Sequence, residues 1–518
     1  MTDFENILYV SIETGDDANR GVLTEPLKTI QAGIDLAAGY IADGLAESVD
    51  VHVAEGLYEV NSSEDGSISM TDGVSLYGGY KSDFSERSIS EHETEIVDLG
   101  TTGEIVSAVC YSEGVTALSV LDGFTIRGGN IDTNNGWSIG IGMEGASPVI
   151  INNKIYAGSS PVTGISIGVN IYNGGSPVIE NNYINGGTSS GGNTGILAFT
   201  NVSGIIRQND IFGGSGGNAT GVLIMNSTAQ ITDNSIIAGS GVLTNGVKVS
   251  GTSFATIEAN YIYGGDATEW ARGVYLSSDS VTITGNTISG GTSSGYLDGI
   301  YCHDHSWTTI RNNFVFAGEY TGSSDDDPHA VYFNGPGGWL YNNTLVEGLS
   351  LYSDAVCLNG GSQPKIENNI LFSFGTVGGY CIIEYPDNEE NANSIKNNVL
   401  WDRAGSTVFY HSWDENNYDD LTSLELAFSD ASGNTDEVPL FVDIDGPDDD
   451  ITTMEDNDWR LTAATPVEVK QGGLDGIVEG WGFNTDYDGN LRTNIVDDPN
   501  GPTNDDAAGW SMGACEKD

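Results

Sequence analysis

Positive charge is scarce in this chain of 518 residues: 17 Lys and Arg stand against 74 Asp and Glu, a formal charge of −57 with the six His neutral. That deficit excludes a nucleic-acid binder, which needs clustered cations to displace counterions at phosphates. Cysteine is sparse too. Cys110, Cys302, Cys357, Cys381 and Cys515 are too few and too scattered for a disulfide scaffold or a paired-cysteine zinc site. No apolar run approaches the roughly 18 residues of a membrane span. Met1 to Asn6 show no charged and apolar leader, and the expectation is a secreted or cell-surface protein whose signal peptide was removed ahead of this numbering.

Glycine is plentiful, with 71 against 13 Pro, and 38% of residues are hydrophobic. This composition supports a sizeable core joined by many tight turns rather than a disordered chain. Length alone predicts about three domains at roughly 150 residues each, but an internal repeat overrides that prior. Segments of the form apolar-x-x-Asn-x-apolar recur at Asn153, Asn182, Asn209, Asn234, Asn260, Asn286, Asn313, Asn343, Asn369 and Asn398, at spacings of 25 to 30 residues. Short β-branched runs separated by Gly and Ser/Thr/Asn clusters leave no room for a crossover helix in each unit.

The residue two after each Asn is apolar, from Ile155 and Ile184 through Val315 to Leu400. A second apolar column follows a Gly or Ala: Ile165, Ile196, Val222, Val247, Val274, Ile300, Val331 and Val356. Identical residue types once per turn are what a solenoid of stacked coils needs, because its inward side chains form continuous columns. The Asn column reads as a turn ladder in which each amide bonds the next, with the Asn itself suited to the left-handed backbone of a sharp corner.

SPVIENNYI (176–184) and KIENNIL (365–371) resemble the coil repeat of the right-handed parallel β-helix proteins of the pectate-lyase-like superfamily. LYVSIETGDDANRGVLTEPLKTIQAGIDLAAG (8–39), VHVAEGLYEV (51–60) and GVSLYGGYKSDFSER (73–87) resemble the N-terminal cap and first coils of secreted bacterial members. EVPLFVDIDG (437–446), DWRLTAATPVEVKQGG (458–473), TDYDGNLR (485–492) and MGACE (512–516) resemble their closing segment. The resemblance implies an all-β, single-stranded right-handed parallel β-helix in an extracellular setting. It implies no single activity, because the group holds lyases, hydrolases, epimerases, adhesins and tailspikes. The expected organisation is a cap and first strand over 1–50, a β-helix over 51–401 with about ten regular coils from 123 onward, and an Asp-rich closing segment over 402–518. Lys28 to Ala38 reads as a short amphipathic helix plugging the first coil.

Strand alternation turns the residue after the Val/Ile column outward, giving Ser166, Leu197, Leu223, Lys248, Tyr275, Tyr301, Tyr332, Cys357 and Cys381. Tyr275, Tyr301 and Tyr332, with His303 and Asn334 beside them, form the candidate ligand-binding face, where rings stack on a sugar and polar groups bond its hydroxyls. Cys357 and Cys381 in adjacent coils fall within disulfide range on that register. A further apolar stripe three after each Asn, including Phe316, Val346, Phe372 and Trp401, is expected to be covered by the Asp-rich segment.

Weak catalytic candidates are His303, Asp304, His305 and Glu319, a cluster of imidazoles and carboxylates near His329 and Asp325 to Asp327. The lyases of the superfamily use Arg or Lys for proton abstraction, whereas Arg207, Lys248, Arg272, Arg311, Lys365 and Lys396 are scattered one or fewer per coil. Calcium is the cofactor expectation, since hard cations want clustered oxygens. Its candidate ligands are Asp16, Asp17 and Asn19 in the cap, Asp448 and Asp450, and Asp486, Asp488 and Asn490. The function expected is non-catalytic binding of a polysaccharide or cell-surface glycan. The alternatives are a polysaccharide lyase or glycoside hydrolase, and a structural spacer.

Overall fold

A computed structural model describes residues 6–64, 66–160, 163–304, 307–322, 327–373, 378–385, 392–402, 410–411, 417–444, 446–448, 452, 454, 457–474, 485–487 and 512–514. The chain is all-β, a parallel β-solenoid of about 12 turns. It divides into two compact units, Met1–Val242 and Leu243–Asp518. Among the described residues no helix is long and apolar enough to cross a membrane.

In the first unit, strand Ile7–Val10 pairs in parallel with Val49–Ala54, and a helix over Ile30–Ala42 lies against them, burying Ile30, Ile34 and Ala37. Thr29 caps this helix by accepting from the Ala32 amide. Gly33 is required by packing, because a Cβ there would sit 2.9 Å from Val10 and 3.0 Å from Val51. The coils that follow stack in register. Ile155 pairs with Ile184, Ile184 with Ile211 and Ile211 with Ile236, all fully buried. Burial of each such side chain contributes roughly 1.5–3 kcal/mol.

The Asn ladder is present. The amides of Asn153, Asn182 and Asn209 each donate to the side-chain oxygen of the next Asn at 2.9, 2.9 and 3.0 Å. The left-handed corner, however, belongs to the residue before each ladder Asn: Asn152, Asn181, Gln208 and Asp233 have φ between 53° and 56°. A ladder Asn must point its amide inward to reach the next coil, so the preceding residue absorbs the reversal. One member of the expected Val/Ile column is also misplaced. Ile165 pairs with Gly192, and Val169 is the partner of Ile196. The Asn153 coil is longer than its successors before that strand, which shifts Val169 into the slot and removes Ser166 from the outward column; its place there is taken by Asn170.

In the second unit the ladder runs through Asn260, Asn286, Asn313, Asn343, Asn369 and Asn398. It continues to Asn434, which accepts from the Asn398 amide at 3.0 Å. A gap of 36 residues and a polar Asp436 two positions on hid this rung from the repeat. Val274, Ile300, Val331, Val356 and Ile382 form the inward column.

The apolar stripe of this unit is buried beneath the C-terminal segment. Phe314, Phe316, Val346 and Phe372 cluster with Met454 and Ala514, and Ile370 and Val399 with Leu461, Val469 and Met512. The left-handed Asn residues anchor it: Asn312 donates to Thr485 O, and Asn368 exchanges bonds of 2.8 and 2.7 Å with Leu474. Cys357 and Cys381 are not bridged. Cys357 pairs with Ile383, so Cys381 stands two residues off the assumed register.

Candidate functional site

The second unit carries one unusual column. Arg272-Gly273-Val274, Asp298-Gly299-Ile300, His329-Ala330-Val331 and Asp354-Ala355-Val356 share a pattern in which a small residue turns a corner before the inward Val or Ile. A Cβ on Gly273 would meet Gly299 O at 2.6 Å, so the coils approach closely there. Parallel pairing sets Arg272 on Asp298, Asp298 on His329 and His329 on Asp354. All four are at least nine-tenths buried, with exposures of 7%, 4%, 4% and 2%.

The same pattern in the first unit carries Ile139, Ile167, Thr194 and Thr220. The coil therefore does not need charge at this position. Burying ionisable groups costs several kcal/mol each unless they are paired, so the column departs from what the coil repeat itself requires.

The groups are paired along the column. Arg272 Nε lies 3.3 Å from Asp298 Oδ2, and His329 Nδ1 lies 3.1 Å from Asp298 Oδ1. The Arg272 guanidinium sits 4.3 Å from the Tyr301 ring centroid and 4.5 Å from that of Trp270, which holds it over the aromatic wall. Burial on its own would lower the His329 pKa, but the Asp298 hydrogen bond and the charges of Asp298, Asp354 and Asp327 outweigh it and raise it. Asp354 is pushed up to about 8 by burial, against the opposing pull of His329. Its Oδ2 stands 3.7 Å from His329 Nε2, too far for a hydrogen bond, and has no such partner among the described residues. Desolvation is the dominant cause, so the site favours the neutral acid form of Asp354 over its carboxylate.

Next to the column stands a tyrosine ladder. Tyr275 and Tyr301 stack at 5.6 Å and 6°, and Tyr301 and Tyr332 at 5.0 Å and 17°. Asn334 donates to the Tyr301 hydroxyl at 3.1 Å and Asn359 to that of Tyr332 at 2.8 Å. Because the rings stack on one another and on Arg272, Tyr301 offers an edge and a hydroxyl to a ligand, not a face. Open aromatic surface comes instead from Trp270 and Tyr296, 40% and 53% exposed and in edge contact at 5.4 Å. Together with Arg272, Asp298, Tyr301, Asp327, His329, Tyr332, Asn359 and Tyr385 they line a cavity of about 470 Å³.

Of the residues singled out from sequence, Tyr301 and Tyr332 line this cleft, Tyr275 stacks behind them, and Asn334 holds Tyr301. His303, half-exposed, lies 5.9 Å from the Tyr301 ring and 3.3 Å from Asp304, outside the lining. Glu319 is exposed and also outside it; His305 lies outside the described residues. Sequence reasoning missed Trp270, Tyr296, Asp298 and Asp354. The usable signal was the residue before the Gly or Ala of each coil, which changes from Ile and Thr to Arg, Asp, His and Asp.

The expected calcium ligands of the cap bond their own loop. Asp17 accepts from the Lys28 and Thr29 amides at 2.8 and 2.9 Å, Asp16 from the Ala18 amide, and Asn19 donates to Pro26 O. Asp448 is exposed and Asp486 buried; Asp450, Asp488 and Asn490 lie outside the described residues. Among the described residues no three His, Cys, Asp or Glu are grouped to hold a metal.

The chain matches the right handed beta helix region family over residues 168–325, and a family described as a protein of unknown function, DUF1565, over residues 13–226. No curated protein matches it. Among solved structures, the Dettilon tailspike protein is 13% identical, covering 75% of this chain and 68% of that one at a TM-score of 0.40. DFA-IIIase from Arthrobacter chlorophenolicus A6, solved with DFA-III, is 11% identical over 74% and 97% of the two chains at 0.39. Pectate lyase Pel9A is 12% identical over 99% and 96% at 0.36. Such values describe fold at most, and the architecture rests on the strand register above. Residues 168–325 match the right handed beta helix region family, and the register of the parallel coils makes this chain a parallel β-solenoid.

Proposed function

We propose that the protein is an extracellular or cell-surface β-helix that binds a neutral glycan chain in the cleft of its second unit. The carrying observation is that open Trp270 and Tyr296 surface stands beside the buried column of Arg272, Asp298 and His329. An aromatic face takes the C–H side of a sugar ring while fixed ionic groups bond its hydroxyls. The glycan is neutral because Arg272 is already paired with Asp298, and a chain at −57 repels polyanions. The test is affinity electrophoresis in gels of neutral and acidic polysaccharides. Retardation by a neutral polymer that Trp270→Ala abolishes supports the reading; retardation unchanged by Trp270→Ala, or seen only with polygalacturonate, refutes it.

A second reading, a carbohydrate-active enzyme, is favoured by one observation: two buried carboxyl groups flank the His329 imidazole, Asp298 held by Arg272 and His329 and Asp354 with its pKa raised by burial. Sites with carboxyl groups in such contrasting surroundings perform acid–base chemistry. New reducing or unsaturated ends released by the parent and not by Asp298→Asn would move the conclusion to this reading.

A further inference from the structure

The first unit has its own hollow. Trp137-Ser138-Ile139-Gly140-Ile141 repeats the pattern of Trp270-Ala271-Arg272-Gly273-Val274, so each unit sets a tryptophan two residues ahead of the corner column. In the second unit the next outward position holds Tyr275, whereas in the first it holds Gly142, in register with Cys110 and Asn170. These small side chains leave a groove of about 390 Å³ walled by Trp137, Tyr172, Leu197 and Phe199. Phe199 is 40% exposed.

The floor carries the second observation. Asn170 is 5% exposed and lines the groove, and its side-chain amide has no hydrogen-bond partner among the described residues. Its amide atoms are not sealed in the core but open to the groove, where they can bond an occupant. No Lys or Arg lines the groove, while Glu144 does. An anionic occupant is therefore disfavoured. Aromatic walls over an unmet amide and a carboxylate match a neutral sugar ring, apolar on its faces and hydroxylated at its rim. The corner column beside this groove carries Ser107, Ile139 and Ile167 and no ionisable group, unlike that of the other unit.

We propose that this groove is a second, purely binding subsite for a neutral saccharide, a deepening that rests on the glycan reading above. Calorimetric titration of the full chain with neutral hexasaccharides (xylo-, cello- and manno-) and with oligogalacturonate tests it. Two binding events with a neutral ligand are expected. Gly142→Phe, which fills the groove, should remove one, and Asn170→Ala should weaken that event about tenfold; Asn170→Ala also covers the case in which Gly142→Phe disturbs the coil. Trp270→Ala should remove only the other event. A single event, lost in Trp270→Ala and unaffected by Gly142→Phe and Asn170→Ala, overturns the groove and leaves the cleft standing. Absence of any binding that these variants alter overturns both.

Discussion

Truncation of one rung of the asparagine ladder measures what holds the coils together. Asn182 Oδ1 accepts from the Asn153 amide and from its Nδ2, at 2.9 and 3.1 Å. Asn182 Nδ2 donates to Ile150 O, Glu180 O and Asn209 Oδ1 at 2.9 to 3.0 Å. In Asn182→Ala the buried Asn153 N–H loses its acceptor and the Ile150 carbonyl one donor. Glu180 O keeps the Asn152 amide as a donor at 3.4 Å. Two orphaned buried groups at about 1–3 kcal/mol each, with little relief from a polar cavity, give a destabilisation of roughly 2–5 kcal/mol. The control is its neighbour Asn181, which sits at φ 53° and bonds Asn152 at the surface. Asn181→Gly should change stability by only a few tenths of a kcal/mol, since glycine accepts that backbone freely. Urea denaturation followed by far-UV circular dichroism reads both. A loss below about 1 kcal/mol in Asn182→Ala, or an equal loss in Asn181→Gly, would refute the reasoning.

Three further outcomes follow from the geometry. Asp354, with a folded pKa of about 8 against an ordinary 3.8, keeps a proton that the unfolded chain releases, so stability falls as pH rises from about 4 to 8. The raised His329 contributes in the same direction, fully below 6.5 and less as pH climbs through its folded value. Asp298, Asp327, Glu347, Cys357, Tyr380 and Tyr385 face these two groups, and burial raises the Cys357 thiol and the Tyr380 and Tyr385 phenols as well. Asp354→Asn should gain stability relative to the parent from pH 5 to pH 8, as seen in melting temperatures; a parallel pair of pH profiles would contradict the assignment. Cys357 and Cys381 should both alkylate in denaturant without reductant, and a mass shift appearing only after reduction would restore the bridge. Asn368→Gly keeps the left-handed backbone at φ 61° but loses both bonds to Leu474. Limited proteolysis should therefore cut the C-terminal segment several-fold faster, and unchanged cleavage would show that those bonds do not anchor it.

What the sequence reveals is periodic, and what it conceals depends on register. The ladder from Asn153 to Asn398 and the inward Ile column are legible because each coil repeats the same residue type at one offset. Asn434 escapes notice because a long segment and a polar neighbour break that offset. Val169 and Cys381 are misassigned for the same reason: the loops ahead of them differ in length, and a count from the nearest Asn then slips by two to four residues.

The aromatic ladder at Tyr275, Tyr301 and Tyr332 was readable from alternation, but not that the rings would face each other. The corner column Arg272, Asp298, His329 and Asp354 was hidden because its members differ in type. Only the small residue following each one marks their shared position. Residues that fold the coil repeat, and residues that break the repeat without breaking the coil define the cleft.

Crystals of the full chain soaked with a neutral hexasaccharide test the central claim most directly. The account predicts a sugar ring against Trp270 and Tyr296 with hydroxyls directed at Arg272, Asp298 or His329. An oligosaccharide ordered on other surfaces while that cleft holds none would contradict it.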